Sequence, residues 1–315
     1  MRRFIGLVTA IALMMLTNAA QAATPEVVMD EQGVNERVPS VSDGYLVWNA
    51  NSVAKPRREH SYVMADGGGP VRISPPGTTS HGAAIDGTTI VYEEATAEDS
   101  DLWFYDAQTQ VRSATPDGVN TPQIEHRPSL SGNWVLFTRE NWNRVPFRRS
   151  RTKVVLFNLM DSTTIVLERL RTKSSYLISD QVKGDWATYE SCEFRRGRFF
   201  DCQVWRYQIS TDELVQMPNP GVQQYAGALS DDGTVYLVRT RNRNQWRCGS
   251  HSKLVRMPVG GGQTVIATLP DGLDALATFG FDEMDGSTTV YFDRLTCKNG
   301  RSGIYRIVDA DSAGP

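Results

Sequence analysis

Gly132-Asn133-Trp134-Val135-Leu136-Phe137-Thr138 decides the fold: a glycine for a tight turn, then a short run of β-branched and aromatic residues that reads as a strand. The same arrangement stands at Gly44-Tyr45-Leu46-Val47-Trp48, Gly87 to Tyr92, Gly184 to Tyr189, Gly233 to Val238 and Gly286 to Phe292. In chain order the glycines are 43, 45, 52, 49 and 53 residues apart. That period is too long for a helical hairpin repeat and matches a four-stranded propeller blade.

Working outward from Gly132, the unit continues through a polar loop to the strand Val154-Val155-Leu156-Phe157, a tight turn and a last strand at Ile165-Val166-Leu167. Four strands per unit and six units predict an all-β, six-bladed propeller. The blades fall at roughly 37–75, 80–116, 126–169, 177–218, 226–269 and 277–309. A chain of 315 residues with 40% hydrophobic side chains is long enough for two domains. The unbroken repeat argues for one, over residues 23–315, and helix signals are nearly absent.

The sixth unit supplies strands around Gly280-Phe281, Thr289 to Phe292 and Gly303 to Ile307, and the chain then runs out before a fourth. Pro25-Glu26-Val27-Val28-Met29 holds the place ahead of unit one that Pro70-Val71-Arg72-Ile73 holds ahead of unit two. The N-terminal strand, within residues 25–32, is therefore expected to complete the last blade and remove an exposed sheet edge.

Met1 to Ala22 has two arginines, an apolar run from Phe4 to Leu16, and small residues at Ala20 and Ala22. It reads as a signal peptide, with the mature chain starting at Ala23. No later run is long enough to span a membrane. The expected location is the periplasm or the extracellular medium. In such a compartment four cysteines imply two disulfides, and three pairings are open. Cys192 and Cys202 flank one hairpin loop of unit four and are the natural pair. Cys248 and Cys297 are left, in corresponding loops of neighbouring units.

The stretch Ser61-Tyr62-Val63-Met64-Ala65-Asp66-Gly67-Gly68-Gly69-Pro70-Val71-Arg72-Ile73-Ser74, echoed at Leu254 to Gly262, resembles the third and fourth strands of the WD40-like repeat in the propeller of TolB-like proteins. Ser40-Val41-Ser42-Asp43-Gly44 and Ser230-Asp231-Asp232-Gly233 resemble its second-strand element. The resemblance implies the same propeller and a role in the cell envelope, without the small α/β domain that precedes it in TolB-like proteins.

In this topology the loops between second and third strands share one face. They hold Lys55 to Arg58, Arg139 to Lys153, Arg195 to Arg198, Arg239 to Lys253 and Arg294 to Arg301, which is 20 of the 31 Lys and Arg residues beyond the signal peptide. Against 36 acidic residues the mature chain is net negative, so its cations are segregated. Unit two is the acidic exception, with Glu93, Glu94, Glu98, Asp99 and Asp101. Such a face concentrates an anionic partner. The binding candidates are Arg139, Trp142, Arg144, Arg148, Arg149 and Arg151 in unit three, Arg195, Arg196 and Arg198 in unit four, and Arg241, Arg243, Trp246 and Arg247 in unit five. Arginine forks suit carboxylate or phosphate, and tryptophan offers a stacking face.

At the channel mouth the repeat aligns Arg37, His81, His126, Ile178, Tyr225 and Ala277. Two histidines lack a matching third ligand, so no metal is expected. There is no Gly-x-Ser-x-Gly elbow, no His-Glu-x-x-His and no phosphate loop, so no cofactor is expected and catalysis is disfavoured. The resulting expectation is a monomeric, non-catalytic exported propeller that binds an envelope protein or an anionic polymer, nucleic acid being disfavoured by export. The alternative is a lyase or hydrolase of an acidic polysaccharide using His81 and His126, with Arg37 or Arg127 on a substrate carboxylate.

Overall fold

The computed structural model describes residues 26–55, 58–96, 99–141, 151–170, 175–195, 198–219, 221–240, 252–268, 273–274, 279–284, 287–296 and 301–309. Among them every regular element is a β-strand, and no helix is long and apolar enough to cross a membrane.

The strands form six antiparallel sheets, each joined to the next in sequence. Blade 3 is Ile124–Ser131, Trp134–Asn141, Arg151–Asn158 and Thr164–Leu170 in spatial order. Its second strand buries Val135, Leu136, Phe137 and Thr138 in succession. A strand covered on both faces needs a continuous apolar run and not an alternating one. Blade 1 starts at Val34–Ser42, blade 2 at Thr79–Asp86, blade 4 at Ser175–Lys183, blade 5 at Gln223–Leu229 and blade 6 at Phe279–Met284. Each of these first strands packs against first strands of its neighbours, so the six surround the axis. Last strands lie outermost; Val111, in the last strand of blade 2, is exposed.

Closure follows the expected route. Glu26–Met29 pairs with Arg301–Asp309 and becomes the outer strand of blade 6, with Glu26 opposite Arg306 and Met29 opposite Ile304. Leu273–Asp274 adds a short pairing to the far end of Ser287–Thr296.

A repeated hydrogen bond locks consecutive blades. The N–H of Gly87 donates to Ser42 Oγ at 2.9 Å, that of Gly132 to Asp86 Oδ2 at 2.7 Å and that of Gly184 to Ser131 Oγ at 3.0 Å. Each acceptor stands two residues or one before the turn glycine of its own blade, so the turn motif of one blade caps the turn of the next. Glycine is required at Gly233, where φ is +80° and a Cβ would stand 2.4 Å from the Trp186 ring.

A second repeat lies next to the axis. The ladder between first and second strands is interrupted after Arg37, His81, His126 and Tyr225. In blades 1 to 3 the following residue is left-handed: Val38 at φ 56°, Gly82 at 51° and Arg127 at 54°. A β-bulge bends its strand and re-aims the side chains around it.

Candidate binding face and channel mouth

Strand register fixes which residues share a face. In blade 3 Ile124 pairs with Glu140, and the paired ends Asn141 and Arg151 lie one step further out. The start of each first strand and the loop between second and third strands therefore sit at the same end of a blade. Arg195 pairs with Arg198, Asn51 with Glu59, and Thr296 with Arg301 at the corresponding ends of their blades. Trp142, Arg144, Arg148, Arg149, Arg196, Arg241, Arg243, Trp246 and Arg247 lie outside the described residues. Arg151, Arg195 and Arg198 are placed as strand backbone.

Arg139 is a strand residue with little solvent. Its Nε donates to Glu125 Oε1 at 2.7 Å, and its terminal nitrogen donates to the carbonyls of Gly118 and Val119. Glu125 is completely buried beneath it. Arg239, also in the basic segments of the sequence, is buried and donates to the Pro218 carbonyl at 2.6 Å and to Gln263. Both cations are consumed by the fold. The acidic loop of unit two shrinks in the same way: Glu93 is buried and accepts from Ser100 at 2.8 Å, while Glu94 pairs with Arg112 at 2.7 Å.

The channel residues of blades 2 and 3 form one electrostatic cluster. The His81 ring nitrogen Nδ1 lies 3.5 Å from Glu59 Oε2 of blade 1, with 38% of its side chain exposed. Burial lowers its pKa, but the hydrogen bond to Glu59 and the charges of Glu93 and Glu59 outweigh burial, and the net shift is upward despite Arg127. His126 is the opposite case. Burial, with the Arg127 and His81 charges adding to it, pushes its pKa down to about 3, so this imidazole is neutral at neutral pH. Its Nε2 lies 3.3 Å from the Tyr176 hydroxyl of blade 4, which donates to Glu140 Oε2 at 3.3 Å.

Arg127 stands between these groups. Its N–H donates to Glu93 Oε2 at 3.4 Å and its carbonyl accepts from Ser179 Oγ at 2.6 Å, which pins the left-handed backbone. The side chain is exposed, and its guanidinium makes no hydrogen bond or ion pair with any described residue. A non-glycine residue in this conformation stores strain that surrounding structure must hold, and such residues concentrate at functional sites.

The other aligned positions do different work. Arg37 Nε donates to Ser302 Oγ at 3.4 Å across the closure. Tyr225 is buried in the core cluster that contains Cys192, Cys202 and Ile178, and its hydroxyl has no partner among the described residues. Burial, then the charges of Glu190 and Asp201, raise its pKa. Cys192 and Cys202 are bonded to each other, while Cys248 and Cys297 lie outside the described residues. Glu190, Cys192 and Cys202 cluster at coordinating distance, but the bonded sulfurs offer no thiolate to a metal. Among the described residues neither His81 nor His126 gathers two further ligands at such a distance.

Sequence reading found the two histidines but not their partners. Glu59, Glu140 and Tyr176 reach them from other blades or strands. The one local signal was the repeat alignment itself.

No protein-family model matches the chain, and no curated protein matches it. Solved structures do. A protein of unknown function from Dyadobacter fermentans superimposes with a TM-score of 0.62 at 11% identity, over 91% of this chain and 98% of the other. An oligogalacturonate lyase in complex with manganese gives 0.51 at 10%, over 93% and 98%. The acylaminoacyl peptidase of Pyrococcus horikoshii gives 0.50 at 12%, over 84% of this chain but 43% of the peptidase. At such identities the likeness shows the six-bladed propeller and nothing more specific.

Proposed function

We propose that this protein is an exported, non-catalytic propeller that uses the loop face to bind an anionic polymer or protein partner in the periplasm or cell envelope. The observation that carries the reading is the register: the described strand ends flanking the arginine-rich segments, Asn141 with Arg151 and Arg195 with Arg198, lie at the end of their blades where the first strands begin. Exposed cations gathered on one face of a net-negative chain attract anions at long range and lose that attraction in salt. The Cys192–Cys202 bond supports an oxidising compartment, and the likeness of the repeat to TolB-like propellers supports an envelope setting.

The test replaces Arg148, Arg149 and Arg151, or separately Arg241, Arg243 and Arg247, with serine. Affinity for an anionic polymer such as dextran sulfate falls and the salt dependence of what remains becomes shallower. Unchanged affinity in both triple variants overturns the reading. A second reading, an enzyme acting on an acidic polysaccharide, draws on the His81, His126 and Arg127 cluster. Time-dependent shortening of a uronate polymer by the purified protein would select it.

A further inference from the structure

We infer that Arg127, with His81 beside it, forms a carboxylate-selective binding site at the channel mouth over blades 2 and 3. The inference deepens the anion-binding reading, but it rests on described channel residues and not on the loops.

Its first support is the side chain itself. An arginine that contributes to folding finds acceptors, as Arg139 and Arg239 do on the same face. Arg127 has none among the described residues and is exposed, on a backbone that only a minority of non-glycine residues adopt. That backbone is held from two sides, by Glu93 of blade 2 and Ser179 of blade 4. Gly82 of blade 2 makes room for it, since a Cβ there would stand 3.2 Å from the Arg127 Cα. Three blades thus cooperate to place a guanidinium that the fold does not use.

Charge defines the ligand class. Behind Arg127 lie two carboxylates, the buried Glu93 and the nearly buried Glu59, with His81 between them. One fixed cation and one titratable cation face three carboxyl groups, Glu59, Glu93 and Glu140, so the surroundings do not carry the excess of positive charge that a dianion needs. A dianion such as phosphate meets repulsion from Glu59 and Glu93, whereas a planar monoanion can take both guanidinium N–H groups at once. His81 contributes the second contact: Nδ1 is engaged by Glu59, no described residue engages Nε2, and the ring is partly exposed. A ligand carboxylate bridging Arg127 and His81 Nε2 satisfies both. The buried His126, next to Arg127 in sequence, is neutral at its imidazole and lies against Tyr176 and the Glu140 carboxylate, so it adds no cation to the site.

The experiment compares polygalacturonate and poly-glutamate, which carry carboxylates on different backbones, with dextran sulfate. Wild-type protein, Arg127→Asn, Arg127→Lys and His81→Gln are titrated at fixed ionic strength, with a thermal melt of each. Asparagine tolerates the left-handed backbone, so Arg127→Asn keeps the fold. It should lose about tenfold or more in affinity for a carboxylate polymer, the loss of a charge-assisted pair, while dextran sulfate binding through the loops is unchanged. Arg127→Lys recovers only part of the loss, because an ammonium cannot form the fork. His81→Gln should weaken carboxylate binding severalfold. Loss on both carboxylate polymers assigns the site to the group itself, and loss on one names its source. Wild-type binding to neither, full affinity in a folded Arg127→Asn variant, or an equal loss on dextran sulfate each overturns the inference. If the loop triples are silent while Arg127→Asn loses carboxylate binding, the loop reading fails and this site stands.

Discussion

Gly303 faces the carbonyl oxygen of Met29 so closely that a Cβ on Gly303 would stand 2.7 Å from it, with Asp30 Cβ at 3.2 Å. The first strand of the described chain and its last strand meet there without space for a methyl group. Gly303→Ala therefore pushes the closing strand away and should cost about 1–3 kcal/mol, each kcal/mol lowering Tm by roughly 2–4 °C. Deleting residues 25–32 should be worse, exposing the edge of blade 6 to aggregation. A truncated protein that melts with the full-length one would show that this strand does not hold the ring.

Arg139 Nε donates to the buried Glu125 at 2.7 Å; burial, offset only in part by Thr121 and Arg139, pushes the Glu125 pKa up to about 7, so the pair is fully ionic only above that pH. Above that pH, removing the carboxylate leaves the Arg139 charge with only the Gly118 and Val119 carbonyls, at a cost of up to about 3–5 kcal/mol. Glu125→Gln should lower the unfolding free energy from urea titration by up to that amount, and Glu125→Leu with Arg139→Met should recover much of it. Equal stability of Glu125→Gln and wild type would place Arg139 in solvent after all.

The two channel histidines should give opposite pH signatures. His126 has a folded pKa depressed to about 3, against roughly 6.5 unfolded. The unfolded chain takes up a proton first as pH falls, so His126 contributes stability above about pH 6.5 that is lost on acidification, at up to about 1.4 kcal/mol per pH unit. His126→Gln should flatten that slope. His81 is shifted upward, so its contribution is present below the unfolded pKa and is lost as pH rises through the folded one. His81→Gln should therefore destabilise more at pH 5 than at pH 8 in urea titrations.

Cys192→Ser with Cys202→Ser opens a bond spanning 10 residues of sequence, worth about 2–3 kcal/mol in the chain-entropy account. Mass mapping of unreduced protein should find that bond together with one joining Cys248 to Cys297. A bond from Cys192 to Cys248 would contradict the Cys192–Cys202 bond.

The repeat, its turn glycines, the closing strand and the Cys192–Cys202 bond were legible in the sequence because each depends on local pattern or fixed period. Arg139 shows where legibility ends. It opens a run rich in arginine and aromatic residues and reads as loop, yet the strand extends to Asn141, and the carboxylate that claims Arg139 lies 14 residues back on the neighbouring strand. His81 was found by alignment, while Glu59, which raises its pKa, belongs to the preceding blade. Contacts across blades depend on the rotation between sheets, which no single unit encodes.

Ring closure also sets an order of events during synthesis. Glu26 and Arg306 are 280 positions apart, so the earliest strand to emerge must wait for nearly the whole chain before it finds its partner. Five blades can assemble from neighbouring residues, but the sixth has no outer edge until the two ends meet, and loop closure over that distance is slow relative to hairpin formation. The interval leaves Val27 and Val28 without their sheet and blade 6 open to another chain, so the step most exposed to misassembly comes last.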